Sequence, residues 1–211
     1  ISNRDLILTN KNEIIDAESL ASKIAFLKAL KNYNLKKVIT FHSTIKKAKK
    51  FSNNLHKVQS LIPDQEIPSS KIFAEHISGE MKAIERNEKI YKLKTLKKDQ
   101  IRVLSNARCL SEGVDVPTLD GIAFIDPKNS QVDIIQAVGR AIRKSEDKSK
   151  GTIIIPIYLG NLLNASELIL KSRFQIVWQV ILALKSQDDI LFNSIDQYRI
   201  SLGEKKSIIN N

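Results

Sequence analysis

Short apolar runs rich in β-branched residues alternate along the chain with stretches of helical periodicity. That alternation predicts a parallel sheet covered by helices on both faces. The runs that read as strands lie at 5–9 (DLILT), 37–41 (KVITF), 71–77 (KIFAEHI), 100–105 (QIRVLS), 121–126 (GIAFID) and 152–158 (TIIIPIY). Helices are predicted between them near 16–31, 44–60, 80–96 and 130–143. The strand runs are apolar almost throughout instead of alternating, as expected where both faces of a sheet are buried. Short loops punctuated by Pro63, Pro68, Pro117 and Pro127 separate the elements. After Tyr158 only helical patterns remain, roughly at 164–186 and 188–201. Leu170, Phe174, Val177, Ile181 and Leu184 recur there at helical spacing, a stripe expected to pack into a core. The economical organisation is one α/β domain over 1–160, followed by a helical extension over 161–211 packed on that domain or on a neighbouring one.

The helix predicted at 130–143 has two opposed faces. Gln136, Arg140 and Arg143 fall on one stripe at spacings i, i+4 and i+7, while Ile134, Ile135, Val138 and Ile142 collect opposite. Ser130 followed by Asp133 predicts a capping box. Gly139 sits mid-helix, where glycine costs about 1 kcal/mol relative to alanine, and a close backbone approach is expected to compensate. On these residues alone the stripe is either a solvated surface or a cationic contact.

With 211 residues, 42% of them hydrophobic and 27% charged, the chain has enough material for a real core and is not of disordered composition. Lys and Arg number 34 against 23 Asp and Glu, a net charge of +11 that suits a polyanionic partner but also plain solubility. The lysine runs Lys46–Lys50 and Lys89–Lys98 are expected to be solvated helix faces. Cys109 is the only cysteine, so no intrachain disulfide can form, as expected in a reducing compartment. It has no histidine nearby in sequence and is a poor candidate nucleophile. No apolar run reaches membrane-spanning length and no signal-peptide pattern appears, from which no membrane association and a cytoplasmic location are expected. The first residue is Ile1, which suggests a segment of a longer polypeptide.

Ligands of parallel α/β sheets bind beyond the carboxyl ends of the strands, and polar clusters stand just there. Phe41-His42-Ser43-Thr44 and His76-Ile77-Ser78-Gly79 each follow a predicted strand and are expected to open a helix. Ser43, Thr44, Ser78 and Gly79 then either hold phosphates at helix N-termini or simply cap them. His42 and His76 lack a second metal ligand at suitable spacing and lack paired carboxylates, so neither metal binding nor acid–base catalysis is expected of them. A third cluster runs from Ser105 to Pro117 and contains Asn106, Arg108, Glu112, Gly113 and Asp115. Asp115 there is either an acceptor for a sugar hydroxyl or a turn-stabilising residue.

The order FHST, HISGEM, NARCLSEGVDVP and QAVGRAIR resembles motifs IV, IVa, V and VI in the second RecA-like domain of superfamily 2 helicases and translocases. The resemblance covers about 36–158, and the last two motifs are most similar to the helicases of type ISP and related restriction-modification or phage-defence proteins. It implies a RecA-like, three-layer αβα sandwich with a mainly parallel sheet. It also implies ATP with Mg²⁺ as cofactor, bound between this domain and an N-terminal RecA-like domain of the same polypeptide, and a nucleic-acid partner, DNA by the restriction-type likeness.

By the same resemblance Arg140 and Arg143 reach the γ-phosphate, with Arg143 as arginine finger and Gln136 beside them. Gly113, Asp115 and Glu112 lie near the ribose, and Ser43, Thr44, Ser78, Gly79, Ser105, Asn106 and Arg108 grip the nucleic-acid backbone. The chain departs from the family at Ala107, where motif V commonly has a phosphate-holding threonine; Ser105, Asn106 or Arg108 would have to substitute. It also contains no G-x-x-x-x-G-K-[ST] sequence and no Walker B-type Asp-Glu pair. Alone, it is therefore expected to hydrolyse ATP negligibly. Two other readings remain at this point: a non-enzymatic nucleic-acid-binding module that kept the fold, and a protein-interaction domain built on the C-terminal helices.

Overall fold

The computed structural model describes residues 17–107, 109, 119–142, 151–157, 169 and 172–185. The strands are β1 (Lys37–Phe41), β2 (Lys71–Ser78), β3 (Gln100–Ala107), β4 (Gly121–Phe124) and β5 (Thr152–Ile154). The helices are α1 (Ala17–Asn32), α2 (Ile45–Gln59), α3 (Ala83–Lys94), α4 (Gln131–Ile142) and α5 (Gln175–Lys185), with a short 3₁₀ turn at Asp64–Glu66. The predicted strand at 5–9 and helix at 188–201 lie outside the described residues.

All the pairings are parallel, in the order β2-β3-β1-β4-β5. From β1 the chain runs out to the edge through β2, returns through β3, then crosses to the other side for β4 and β5. The direction reverses at β1, so the carboxyl ends of β3, β1 and β4 surround a topological switch point.

Successive strand residues point to opposite faces, and both faces are dry. Val38, Ile72, Ile101, Val103 and Ala123 pack under α1 and α2 with Phe26, Leu27, Phe51 and Leu55. Ile39, Phe41, Ile77, Leu104, Ile122 and Phe124 pack on the other face with Ile90, Leu93, Ile134, Val138, Phe174, Val177 and Ile181. This double burial is what made the strands read as unbroken apolar runs. The Phe41 and Phe124 rings stack across β1 and β4 at 5.4 Å.

Four expectations change. Helix α3 starts at Ala83, because Ser78 is still paired with Ala107 in the sheet and a Ser78–Met81 turn follows it. Ser78 and Gly79 therefore do not open a helix. The capping box of α4 is half formed: Ser130 Oγ accepts from Asp133 N at 3.3 Å, but the Asp133 carboxylate pairs with Lys128 Nζ at 2.8 Å. Ile135 is 46% exposed, so the buried stripe of α4 among the described side chains is Ile134, Ala137 and Val138; the Ile142 side chain lies outside them. The fourth change is in the C-terminal region, where a turn at Ser172, whose Oγ accepts from Phe174 N, precedes α5. Phe174, Val177 and Ile181 of the predicted stripe are buried against α4; Leu170 lies outside the described residues.

Candidate nucleotide and nucleic-acid site

The β1–α2 turn forms because Thr44 is extended and its hydroxyl accepts from Lys47 N, capping α2. Thr44 is thus an N-cap, and its side chain is already engaged. Ser43 N–H donates to Asp126 Oδ2 at 3.3 Å. Asp126, just after β4, is 6% exposed; its Oδ1 accepts from Lys47 Nζ at 2.8 Å and its Oδ2 lies 3.6 Å from His42 Nδ1. On the far side of the ring, His42 Nε2 lies 2.9 Å from Thr40 Oγ1, which lies 3.0 Å from Ser105 Oγ. A polar chain therefore runs from Lys47 through Asp126, His42 and Thr40 to Ser105.

Burial opposes ionisation of Asp126, but the nearby His42 ring and the hydrogen bonds from Lys47 and Ser43 N–H outweigh it and hold the carboxyl well below the usual range. His42 is held below its ordinary value by burial, which exceeds the opposing pull of Asp126. Neutral His42 does have a carboxylate partner, which local sequence did not reveal, but at 4% exposure it faces protein and not a ligand.

This predicts a pH dependence of stability. Below its ordinary value of 6.5, His42 takes up a proton in the unfolded chain that the native chain does not bind, so stability falls as pH drops through that range. His76, lowered mainly by burial and then by Lys89, acts in the same direction. Urea unfolding at about pH 7 and about pH 5 should show this loss, and His42→Gln should make it smaller.

The other nucleic-acid candidates separate clearly. Gly79 is exposed in the turn after β2, whereas the Ser78 side chain is buried at the end of that strand. Ser105 is fully buried and bonded to Thr40, so its hydroxyl cannot face a backbone phosphate. Asn106 is buried too, and its Oδ1 accepts from Cys109 N at 3.2 Å, shaping the turn after β3. Ala107 is likewise buried. Neither Ser105 nor Asn106 takes the place of a surface threonine at Ala107. Arg108, Glu112, Gly113, Asp115 and Arg143 lie outside the described residues. Burial pushes the Cys109 thiol up against the influence of Arg86, which suits an inert thiol better than a nucleophile.

On α4, Gln136 and Arg140 are half-buried on the side away from Ile134 and Val138, with Gly139 exposed beside them. Gln136 Oε1 is buried without a hydrogen-bond partner among the described residues. No described atom lies within 4 Å of where a Cβ on Gly139 would stand, so among the described residues there is no close approach to explain the glycine. Gly139→Ala should accordingly stabilise the isolated chain by about 1 kcal/mol, read from urea unfolding.

Sequence reasoning missed Asp126 and Lys47. The available signal was a single acidic residue closing a wholly apolar strand just before Pro127, at the sheet edge where ligands bind.

The helicase conserved C-terminal domain model matches residues 22–145. The chain belongs to that family. Among solved structures it is similar to the DNA-bound, ATP-dependent type ISP restriction-modification enzyme LlaBIII, with 32% identity and a TM-score of 0.69 over 84% of this chain and 12% of that one. It is 28% identical over 189 residues to Probable helicase A859L of African swine fever virus (isolate Pig/Kenya/KEN-50/1950), covering 86% of this chain and 19% of the relative. A DEAD box protein from the hyperthermophile Methanococcus jannaschii shares the fold, with 20% identity and a TM-score of 0.50 over 78% of this chain and 37% of that one. The helicase C-terminal domain thus has the RecA-like architecture of superfamily 2 helicases, and its family is one of ATP-dependent helicases. The chain spans under a fifth of the length of LlaBIII and of the viral relative. Among the described residues no helix is long and apolar enough to cross a membrane.

Proposed function

We propose that the chain is the second motor domain of an ATP-dependent DNA translocase or helicase within a larger restriction-type polypeptide. The observation that carries this reading is the face of α4 opposite Ile134 and Val138. It holds Arg140, an amide oxygen of Gln136 with no described partner, and open space over Gly139.

Those groups fit the γ-phosphate end of ATP. A guanidinium on a rigid helix stabilises charge on the transferring phosphoryl group, and Arg143, one turn beyond Gly139, is assigned as the finger. The groups do not fit the β-phosphate or Mg²⁺, since the sequence has no Walker A or Walker B motif and the described residues form no cluster of three metal ligands. An N-terminal RecA-like domain holds those parts, and Gly113, Asp115 and Glu112 are assigned to the ribose side.

Nucleic acid runs along the carboxyl edge of the sheet, past Ser43, Thr44, Gly79 and Arg108. Such contacts hold phosphates and read no sequence. DNA is the strand favoured by the likeness to LlaBIII, whose structure is DNA-bound. The deciding experiment is Arg143→Ala in a polypeptide carrying both RecA-like domains. ATP hydrolysis should collapse while DNA binding persists, and unchanged hydrolysis would remove the finger role.

A further inference from the structure

We infer that Asp126 is a positioning residue that locks the β1–α2 turn to the start of α4, so that nucleic acid at the turn and the Arg140-bearing face of α4 respond as one unit. This rests on the reading of the chain as a motor domain. In such a domain two remote events, strand contact and phosphoryl transfer, have to be coupled through something stiff.

Among the described residues there is a short, densely bonded link between them. Asp126 reaches the turn through Ser43 N–H, Lys47 and His42, three groups within the six residues 42–47. Its backbone is tied there as well: Ile125 N and Asp126 N both donate to Phe41 O, at 3.1 and 3.2 Å. On the other side only Pro127, Lys128 and Asn129 separate Asp126 from the Ser130 cap of α4. Lys128 binds the first turn of α4 through Asp133 and lies over the Phe41 ring at 5.4 Å. The segment 125–128 is thus bonded at one end to the turn and at the other to the helix.

The carboxylate also explains why Lys47 stands where it does. A negative charge beside the N-terminus of α2 would repel an arriving phosphate, and the 2.8 Å contact with Lys47 neutralises it. Because the Lys47 side chain is 55% exposed, its loss weakens the link without opening a core.

The test uses the full motor with both RecA-like domains, measuring ATP hydrolysis with and without single-stranded DNA alongside DNA binding by fluorescence anisotropy. Asp126→Asn should lower the stimulated-to-unstimulated ratio by about tenfold while shifting DNA affinity by less than about threefold. Lys47→Met should lower the ratio in the same direction, and the double variant should be no worse than Asp126→Asn alone, because both remove one contact. A ratio equal to wild type in folded Asp126→Asn overturns the inference. If that variant fails to fold, an unchanged ratio in Lys47→Met overturns it instead. Absence of DNA stimulation in the wild-type motor would overturn the motor reading itself, an outcome separable from the others.

Discussion

Arg143→Ala in the complete motor is expected to lower the rate of ATP hydrolysis by about a thousandfold or more, equivalent to about 4 kcal/mol of transition-state stabilisation. The loss is large because charge develops on the γ-phosphoryl oxygens in a cleft with little water, where a preplaced guanidinium needs no reorganisation. Arg143→Lys should recover little of it, since an ammonium on a flexible stem lacks the planar fork that meets two oxygens at once. Steady-state hydrolysis at saturating DNA is the measurement. DNA affinity should stay near wild type, because Arg143 is assigned to the nucleotide and the proposed strand contacts follow β1, β2 and β3. A parallel fall in affinity and rate would move Arg143 from the nucleotide to the nucleic acid.

Phe124→Ala should destabilise the domain by about 3–5 kcal/mol, a large share of the roughly 5–15 kcal/mol by which such domains are stable. Phe124 is fully buried in interior strand β4 and stacks on Phe41 of β1, and both strands end at the candidate site. Removing the ring leaves a cavity where rigid neighbours on β1 and α4 cannot easily close. Ile135→Ala supplies the contrast. The helical pattern put Ile135 on the buried side with Ile134, yet it is 46% exposed, and its truncation should cost no more than about 0.5 kcal/mol. Urea unfolding of the two variants separates them. Equal losses would mean that the core boundary on α4 is drawn wrongly.

The strand-to-helix alternation was legible because its cause is local. A strand buried on both faces must be apolar at every position, and a helix packed on one side must repeat near 3.6 residues. Hence β1 and α2 lie almost where the sequence puts them, and the stripe Phe174, Val177 and Ile181 is core. Element ends were less legible. The ladder carries β2 through Ser78, because a parallel partner was available at Ala107, and nothing within 71–79 announces a pairing made by β3.

The candidate site divides in the same way. By itself the sequence determined that two arginines and a glutamine recur at helical spacing, that a basic chain of this pattern resembles a helicase domain, and that no Walker motifs accompany them. Those statements depend on residue spacing and identity. Only the tertiary structure decided that Ser105 turns inward to Thr40, and that Asp126 accepts from Ser43 across 83 residues of chain. It also decided that Gly139 has no neighbour among the described residues to explain it. The physical reason is that sheet order brings the ends of β3, β1 and β4 together, and hydrogen bonds form between whatever those ends carry. Periodicity says which face a side chain takes. Only the crossing of the chain at β1 says what it meets there.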